Sequence, residues 1–120
     1  MEKKIYHLSS CTTCQRILKE LKPSKEYILQ DIKTESITAA QLNAMKKLAG
    51  SYEALFSRIA LKFRAWKLNE MELTEVDYKK YILQEYTFLK RPVIIIGNQI
   101  FIGNSPKNIQ AAGVAMKQAK

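Results

Sequence analysis

Apolar positions along the chain change their spacing from one third to the next. Lys4-Ile5-Tyr6-His7-Leu8 mixes β-branched and aromatic residues before a Ser-Ser turn signal, which predicts a short strand. From Thr12 to Lys22 the apolar residues Ile17, Leu18 and Leu21 fall on one helical face, and Pro23 ends the run. Glu26 to Ile32 predicts a second strand. The opening third is therefore strand, cysteine-containing turn, helix, strand: a βαβ unit.

The middle of the chain is helical in pattern. Leu42, Met45, Leu48 and Ala49 recur at helical steps after Ser36-Ile37-Thr38, and Gly50 closes the segment. A further helical pattern runs from Tyr52 to about Leu68, dense enough in apolar residues to predict two packed pieces. Thr74 to Glu85 predicts a third helix, with Thr74 as N-cap and Asp77 in a capping-box position. No repeat or Gly/Ser-rich linker sets this region apart from its flanks.

The final third returns to β structure. Pro92-Val93-Ile94-Ile95-Ile96 is a continuous apolar run of strand length, as expected of a strand buried on both faces. Gly97-Asn98 turns it into Gln99-Ile100-Phe101-Ile102 as an antiparallel hairpin. After Gly103-Asn104, Ser105-Pro106 starts a helix to about Lys117, with Pro at the first helical position. With a Cys-x-x-Cys, Cys11 to Cys14, between the first strand and first helix, the expected class is α/β and thioredoxin-like: βαβ, helical insert, ββα, with a mixed four-stranded sheet flanked by helices. A single domain over residues 1–120 is expected, with 36–86 inserted between core segments 1–35 and 87–120.

Composition narrows the function. A chain of 120 residues, 47% hydrophobic and 26% charged, supports one core and excludes wholesale disorder. No apolar run approaches the ~20 residues of a membrane span, and Met1-Glu2-Lys3-Lys4 leads into no signal-peptide core. A cytoplasmic location without membrane contact is the expectation. The net charge of +9, from 20 Lys and Arg against 11 Asp and Glu, favours anionic partners. The basic residues are scattered, however, so an ordinary solvated surface explains them as well. Without a helix-turn-helix signature or zinc module, direct sequence-specific DNA binding is not expected.

The two cysteines, Cys11 and Cys14, stand three positions apart. A disulfide across so short a step closes almost no loop entropy, which leaves little for a structural staple to do. Cys11 is expected where the first strand gives way to the helix, and the amides there favour a thiolate. Cys14, one turn inside the helix, can resolve a mixed disulfide at Cys11. Metal binding is the weaker alternative, since two Cys and the single His7 fall short of four ligands. Two inert half-buried thiols are another. His7, four residues before Cys11, either lowers the thiol pKa as an imidazolium or faces water. Arg91 before Pro92 can bind an oxyanion or stabilise a thiolate, and Pro92 is a candidate for a cis peptide. From pattern alone Arg58 is an ordinary helix-surface arginine.

Taken together, Tyr6-His7 with Ser10-Cys11, Cys11-Thr12-Thr13-Cys14, Gly50 with Arg58, and Lys90-Arg91-Pro92-Val93 resemble the ArsC/Spx family. That family holds glutaredoxin-coupled arsenate reductases and the redox-sensing transcription regulator Spx. The resemblance spans Lys4 to about Ala112. It implies a thioredoxin-like fold with a helical insert, Cys11 as nucleophile and His7 as an aid in lowering its pKa. It further implies that Arg58 and Arg91 bind the oxyanion or contact the active-site cysteine. The reductases carry a third arginine after the last hairpin, where this chain has Ile102-Gly103-Asn104-Ser105-Pro106. Cys14 stands where they usually carry another residue. Both departures look more like Spx, in which a glycine matching Gly50 contributes to contact with the C-terminal domain of the RNA polymerase α subunit.

The expected function is that of an ArsC-family thiol-disulfide oxidoreductase, arsenate reductase-like, acting on a small oxyanion or a disulfide. It needs no bound cofactor; glutathione with glutaredoxin, or thioredoxin, would supply electrons. The alternative is an Spx-like regulator that binds the RNA polymerase α subunit.

Overall fold

The computed structural model describes residues 1–119. In chain order its elements are β1 (Lys3–His7), α1 (Thr12–Leu21), β2 (Ile28–Asp31), α2 (Ala39–Ala49), α3 (Leu61–Ala65), α4 (Glu75–Gln84), β3 (Val93–Ile96), β4 (Gln99–Ile102) and α5 (Pro106–Gln118). Single 3-10 turns cover Glu53–Leu55, Leu68–Glu70 and Tyr86–Phe88. The chain divides into two compact units. One is Met1–Glu35 with the segment from Arg91 onward; the other is Ser36–Lys90.

In the first unit the strands form one sheet in the order β2-β1-β3-β4. β1 runs parallel to β2 and antiparallel to β3, and β3 and β4 form the expected hairpin. The register sets Ile5 against Leu29 on one side and Ile94 on the other. All four residues of β3 are buried, which is why the run reads as continuously apolar rather than alternating. Ile5, Ile94 and Ile96 join Tyr27, Ala112 and Ala115 in one core cluster, with Leu18, Leu21, Phe101 and Met116 packed against it. The small Ala112 and Ala115 let α5 lie close to the strands. Each buried isoleucine contributes about 1.5–3 kcal/mol. With its βαβ half, its ββα half and its mixed four-stranded sheet, the fold is thioredoxin-like, as the pattern predicts.

The ends of the elements have local causes. Lys22 turns left-handed (φ 48°) to cap α1, its amide donating to the Leu18 carbonyl at 3.0 Å, and Pro23 follows. β2 is shorter than the expected Glu26–Ile32, because the Tyr27 amide closes a turn onto the Ser24 carbonyl at 3.1 Å. At α5, the Ser105 side chain accepts from the Asn108 amide at 3.2 Å, with Pro106 in the first turn.

The second unit is helical and carries its own aromatic core. Phe56 stacks on Phe88 with centroids 5.1 Å apart and meets Tyr78 at 5.0 Å. Capping boxes start α2 (Thr38 with Gln41) and α4 (Thr74 with Asp77). Gly50 ends α2 at φ 97°, a left-handed conformation that glycine adopts without strain. The expected pair of helices over Tyr52–Leu68 is not formed. That stretch holds a 3-10 turn, one extended residue in an isolated bridge (Phe56), a turn and the short α3. The extension has a non-local cause: Ser57 N–H donates to the Phe88 carbonyl (2.7 Å), Lys90 N–H donates to the Leu55 carbonyl (2.8 Å), and Phe56 bridges Leu89. The same bonds carry the helical unit to Lys90, past the expected boundary at 86.

Candidate active site

β1 delivers the chain to Leu8, which is buried, and the Cys11 amide folds back onto the Leu8 carbonyl at 3.0 Å. This tight turn places Cys11 at the N-cap of α1 in an extended conformation (φ −94°, ψ 110°). The first turn of α1, Thr12-Thr13-Cys14, contains no carboxylate, so the positive end of the helix is left for the cysteine sulfur. Two contacts hold the turn. The Asp31 carboxylate at the end of β2 accepts from the Ser9 amide (3.1 Å) and the Lys33 amide (3.2 Å). The Ser9 hydroxyl and these amides keep that carboxyl below its usual range. One turn into α1, Gln15 donates from Nε2 to the Leu8 carbonyl at 3.0 Å. Neither Asp31 nor Gln15 stands out in the sequence; their signal is positional, one opposite His7 across the sheet and the other a helical turn after Cys11.

The two thiols have opposite environments. Cys11 is half-buried and Cys14 fully buried, and both are reduced. Partial burial works against the Cys11 thiolate, but the amide and thiol of Cys14 and the guanidinium of Arg91 outweigh it and lower the pKa. No ordinary side-chain cap hydrogen bond closes on Cys11, so the effect is one of nearby donors and charge. Burial pushes Cys14 up to about 11, with the Cys11 charge adding to it and Arg91 opposing it.

Arg91 reaches this point because of the register. Val93 pairs with Tyr6, so the residues just before β3 lie beside the end of β1 from which the Cys11 turn departs. The Arg91–Pro92 peptide is cis, and the Pro92 carbonyl accepts from the Gly103 amide at 2.9 Å. His7 ends β1, and its Nδ1 lies 3.4 Å from Gln15 Nε2. The groups acting on the Cys11 sulfur are Cys14 and Arg91.

Arg58 and Gly50 belong to the helical unit. The Arg58 guanidinium donates to Glu53 Oε2 (2.8 Å) and the Tyr78 hydroxyl (2.7 Å) and lies over the Tyr78 ring. Sequence pattern alone makes it a plain surface residue, yet it is bound on two sides. Among the described residues no group of three or more His, Cys, Asp or Glu is placed to hold a metal ion.

The sequence model of the ArsC family matches residues 6–112, a span that includes Cys11, Cys14 and Arg91. The chain belongs to the ArsC family. No protein of curated function matches the sequence. Among solved structures, the ArsC-family chain is similar to an arsenate reductase from Vibrio cholerae. The TM-score is 0.71 at 17% identity, covering 92% of this chain and 98% of that one. It is also similar to an arsenate reductase (ArsC) related protein from Brucella melitensis, with TM-score 0.69 at 23% identity, covering 92% and 93%. At these identities the likeness concerns the fold. Among the described residues no helix is long and apolar enough to cross a membrane.

Proposed function

We propose that this ArsC-family protein is a thiol-disulfide oxidoreductase in which Cys11 is the nucleophile, Cys14 the resolving thiol and Arg91 the charge that favours the Cys11 thiolate. The observation that carries this reading is the pairing of a half-exposed, helix-capping thiol of lowered pKa with a buried thiol held protonated. In the first step the Cys11 thiolate attacks one sulfur of a disulfide substrate. A mixed disulfide forms, and the other substrate sulfur leaves as a thiolate and takes a proton from water. Cys14 then gives up its proton and attacks the Cys11 sulfur, releasing the second substrate thiol. Two electrons have passed to the substrate, and the protein holds a Cys11–Cys14 disulfide. Glutathione, a glutaredoxin or a thioredoxin would reduce it, consistent with a cytoplasmic setting.

The electrostatics order the two steps. While Cys11 is a thiolate, its charge helps keep Cys14 protonated. Once Cys11 is in a mixed disulfide that charge is gone, and Arg91 favours ionisation of Cys14 instead. Forming the mixed disulfide thus removes one of the influences that hold the resolving thiol protonated, while burial, the largest of them, stays. A small oxyanion such as arsenate fits the same scheme: Cys11 displaces a hydroxide from arsenic(V), and Cys14 attack on the Cys11 sulfur leaves two electrons on arsenic. Arg91 would hold that anion, with His7 as a further candidate.

The test is turnover of a glutathione mixed disulfide, and separately of arsenate, with glutathione and glutaredoxin present. Wild type is expected to turn over at least one of the two and Cys11→Ser neither. Wild type without turnover on either would remove the enzyme reading. The Cys-x-x-Cys pair also supports a redox switch in an Spx-like regulator, with Gly50 at the exposed end of α2 as a candidate contact. Binding of the RNA polymerase α C-terminal domain that changes on oxidation would favour this second reading.

A further inference from the structure

A cavity of about 770 Å³ in the sheet unit is lined by the C-terminal half of α1, the chain entering β2, and α5. The lining includes neither cysteine nor Arg91. Its size falls within the range of small-molecule sites. Three features point to an occupant. Tyr27 lines it and is 8% exposed, yet its buried hydroxyl has no hydrogen-bond partner among the described residues. Buried hydroxyls are rarely left so, and an unsatisfied one marks a missing partner. Gly113 also lines the cavity, in the middle of α5, where helices disfavour glycine. A Cβ there would meet Leu21 at 3.5 Å, an ordinary contact, so packing does not demand glycine; the missing side chain leaves space instead.

The charge around the cavity is lopsided. Lys3 pairs with Glu26, and Arg16 with Glu20 at 3.8 Å. Lys22 and Lys117 line it outside any ion pair among the described residues. Burial raises the Tyr27 pKa, so the hydroxyl keeps its proton and is a donor. A protonated hydroxyl and two ammonium groups call for an acceptor with negative charge. Leu21, Val114 and Met116 supply an apolar wall beside them.

We propose that this cavity binds a small amphipathic carboxylate, its head taken by the Tyr27 hydroxyl and the Lys22 and Lys117 ammonium groups, its apolar body lying along Leu21, Gly113 and Val114. The hydroxyl is buried, so the ligand reaches it by displacing lining side chains. Lys3 and Met116 are flexible enough to give. The site is separate from the thiol chemistry and stands or falls without it.

Octanoate is the probe, titrated into the reduced full-length protein and followed by amide chemical shifts. Saturable shifts are expected at Leu21, Gly113 and Val114, and octanol should bind at least about tenfold more weakly for want of the charge. Tyr27→Phe should weaken octanoate by about tenfold or more while leaving the urea midpoint equal or higher, because an orphaned hydroxyl has been removed. Gly113→Ala should raise the midpoint and weaken binding together. Absence of saturable shifts up to about 10 mM octanoate, or unchanged affinity in folded Tyr27→Phe, would overturn the proposal. So would octanol binding as tightly as octanoate.

Discussion

Removing Cys11 isolates the buried thiol and turns its pKa into a rate. In Cys11→Ser the remaining thiol is Cys14, pushed up to about 11 in the wild type. Near pH ~7.5 such a group is thiolate about once in 3,000, against roughly one in ten for a free cysteine of pKa ~8.5. Ionisation alone slows alkylation about 300-fold, and the greater intrinsic nucleophilicity of a higher-pKa sulfur recovers roughly tenfold. A deficit of about thirtyfold remains before access is considered. Serine also removes the charge of Cys11, one of the influences raising Cys14, but burial is the largest of them and stays. The expected result is alkylation by iodoacetamide at least about tenfold slower than that of glutathione, read by mass spectrometry over time. The reciprocal Cys14→Ser protein should alkylate at Cys11 at least as fast as glutathione. Equal rates for Cys14 and glutathione would refute the reasoning, since they would require either an ordinary pKa or a sulfur open to solvent.

Arg91→Ala, made in a Cys14→Ser background, should move the Cys11 alkylation midpoint to higher pH; an unmoved midpoint would show that Arg91 does not act on the thiolate. Stability of the reduced protein should fall at alkaline pH. Cys14 and Tyr6, raised to about 11 and about 12, keep their protons in the native state after the unfolded chain has lost its own. The loss should therefore begin above the ordinary thiol range near ~8.5 and continue to the folded values, measured as urea midpoints from neutral to alkaline pH. Thr74→Ala removes the cap that accepts from the Asp77 amide and should lower stability by about 1 kcal/mol, seen as a lower urea midpoint with unchanged slope. Ile94→Ala, at a fully buried position of the inner strand β3, should remove about 2–5 kcal/mol.

The parts of this fold that local chemistry dictates are readable from the residues. The Val93–Ile96 run, the Gly97-Asn98 turn, the Thr74–Asp77 capping box and the Ser105-Pro106 helix start each signal through neighbours within a few positions. Tyr52–Leu68 fails for the opposite reason: Phe56 and Ser57 take their conformation from Phe88 and Leu89, which no local periodicity reveals. Exposed Ile59 and Leu61 also thicken the apolar pattern without being core. The site divides in the same way. Cys11, Cys14 and Arg91 are visible as motifs, and the helix start explains the first of them. The supports, Asp31 on the Ser9 turn and Gln15 on Leu8, depend on which strand ends face each other across the sheet.

The order of the residues along the chain sets when the thiol becomes reactive. Cys11 is made early, but the guanidinium that favours its thiolate is at position 91, and β1 has no antiparallel partner until Val93–Ile96 exists. During synthesis, then, the ribosome-bound chain carries Cys11 without the arginine's charge until residue 91 has been added. A truncated product ending before Arg91 would keep both cysteines but lack the guanidinium that lowers the Cys11 pKa.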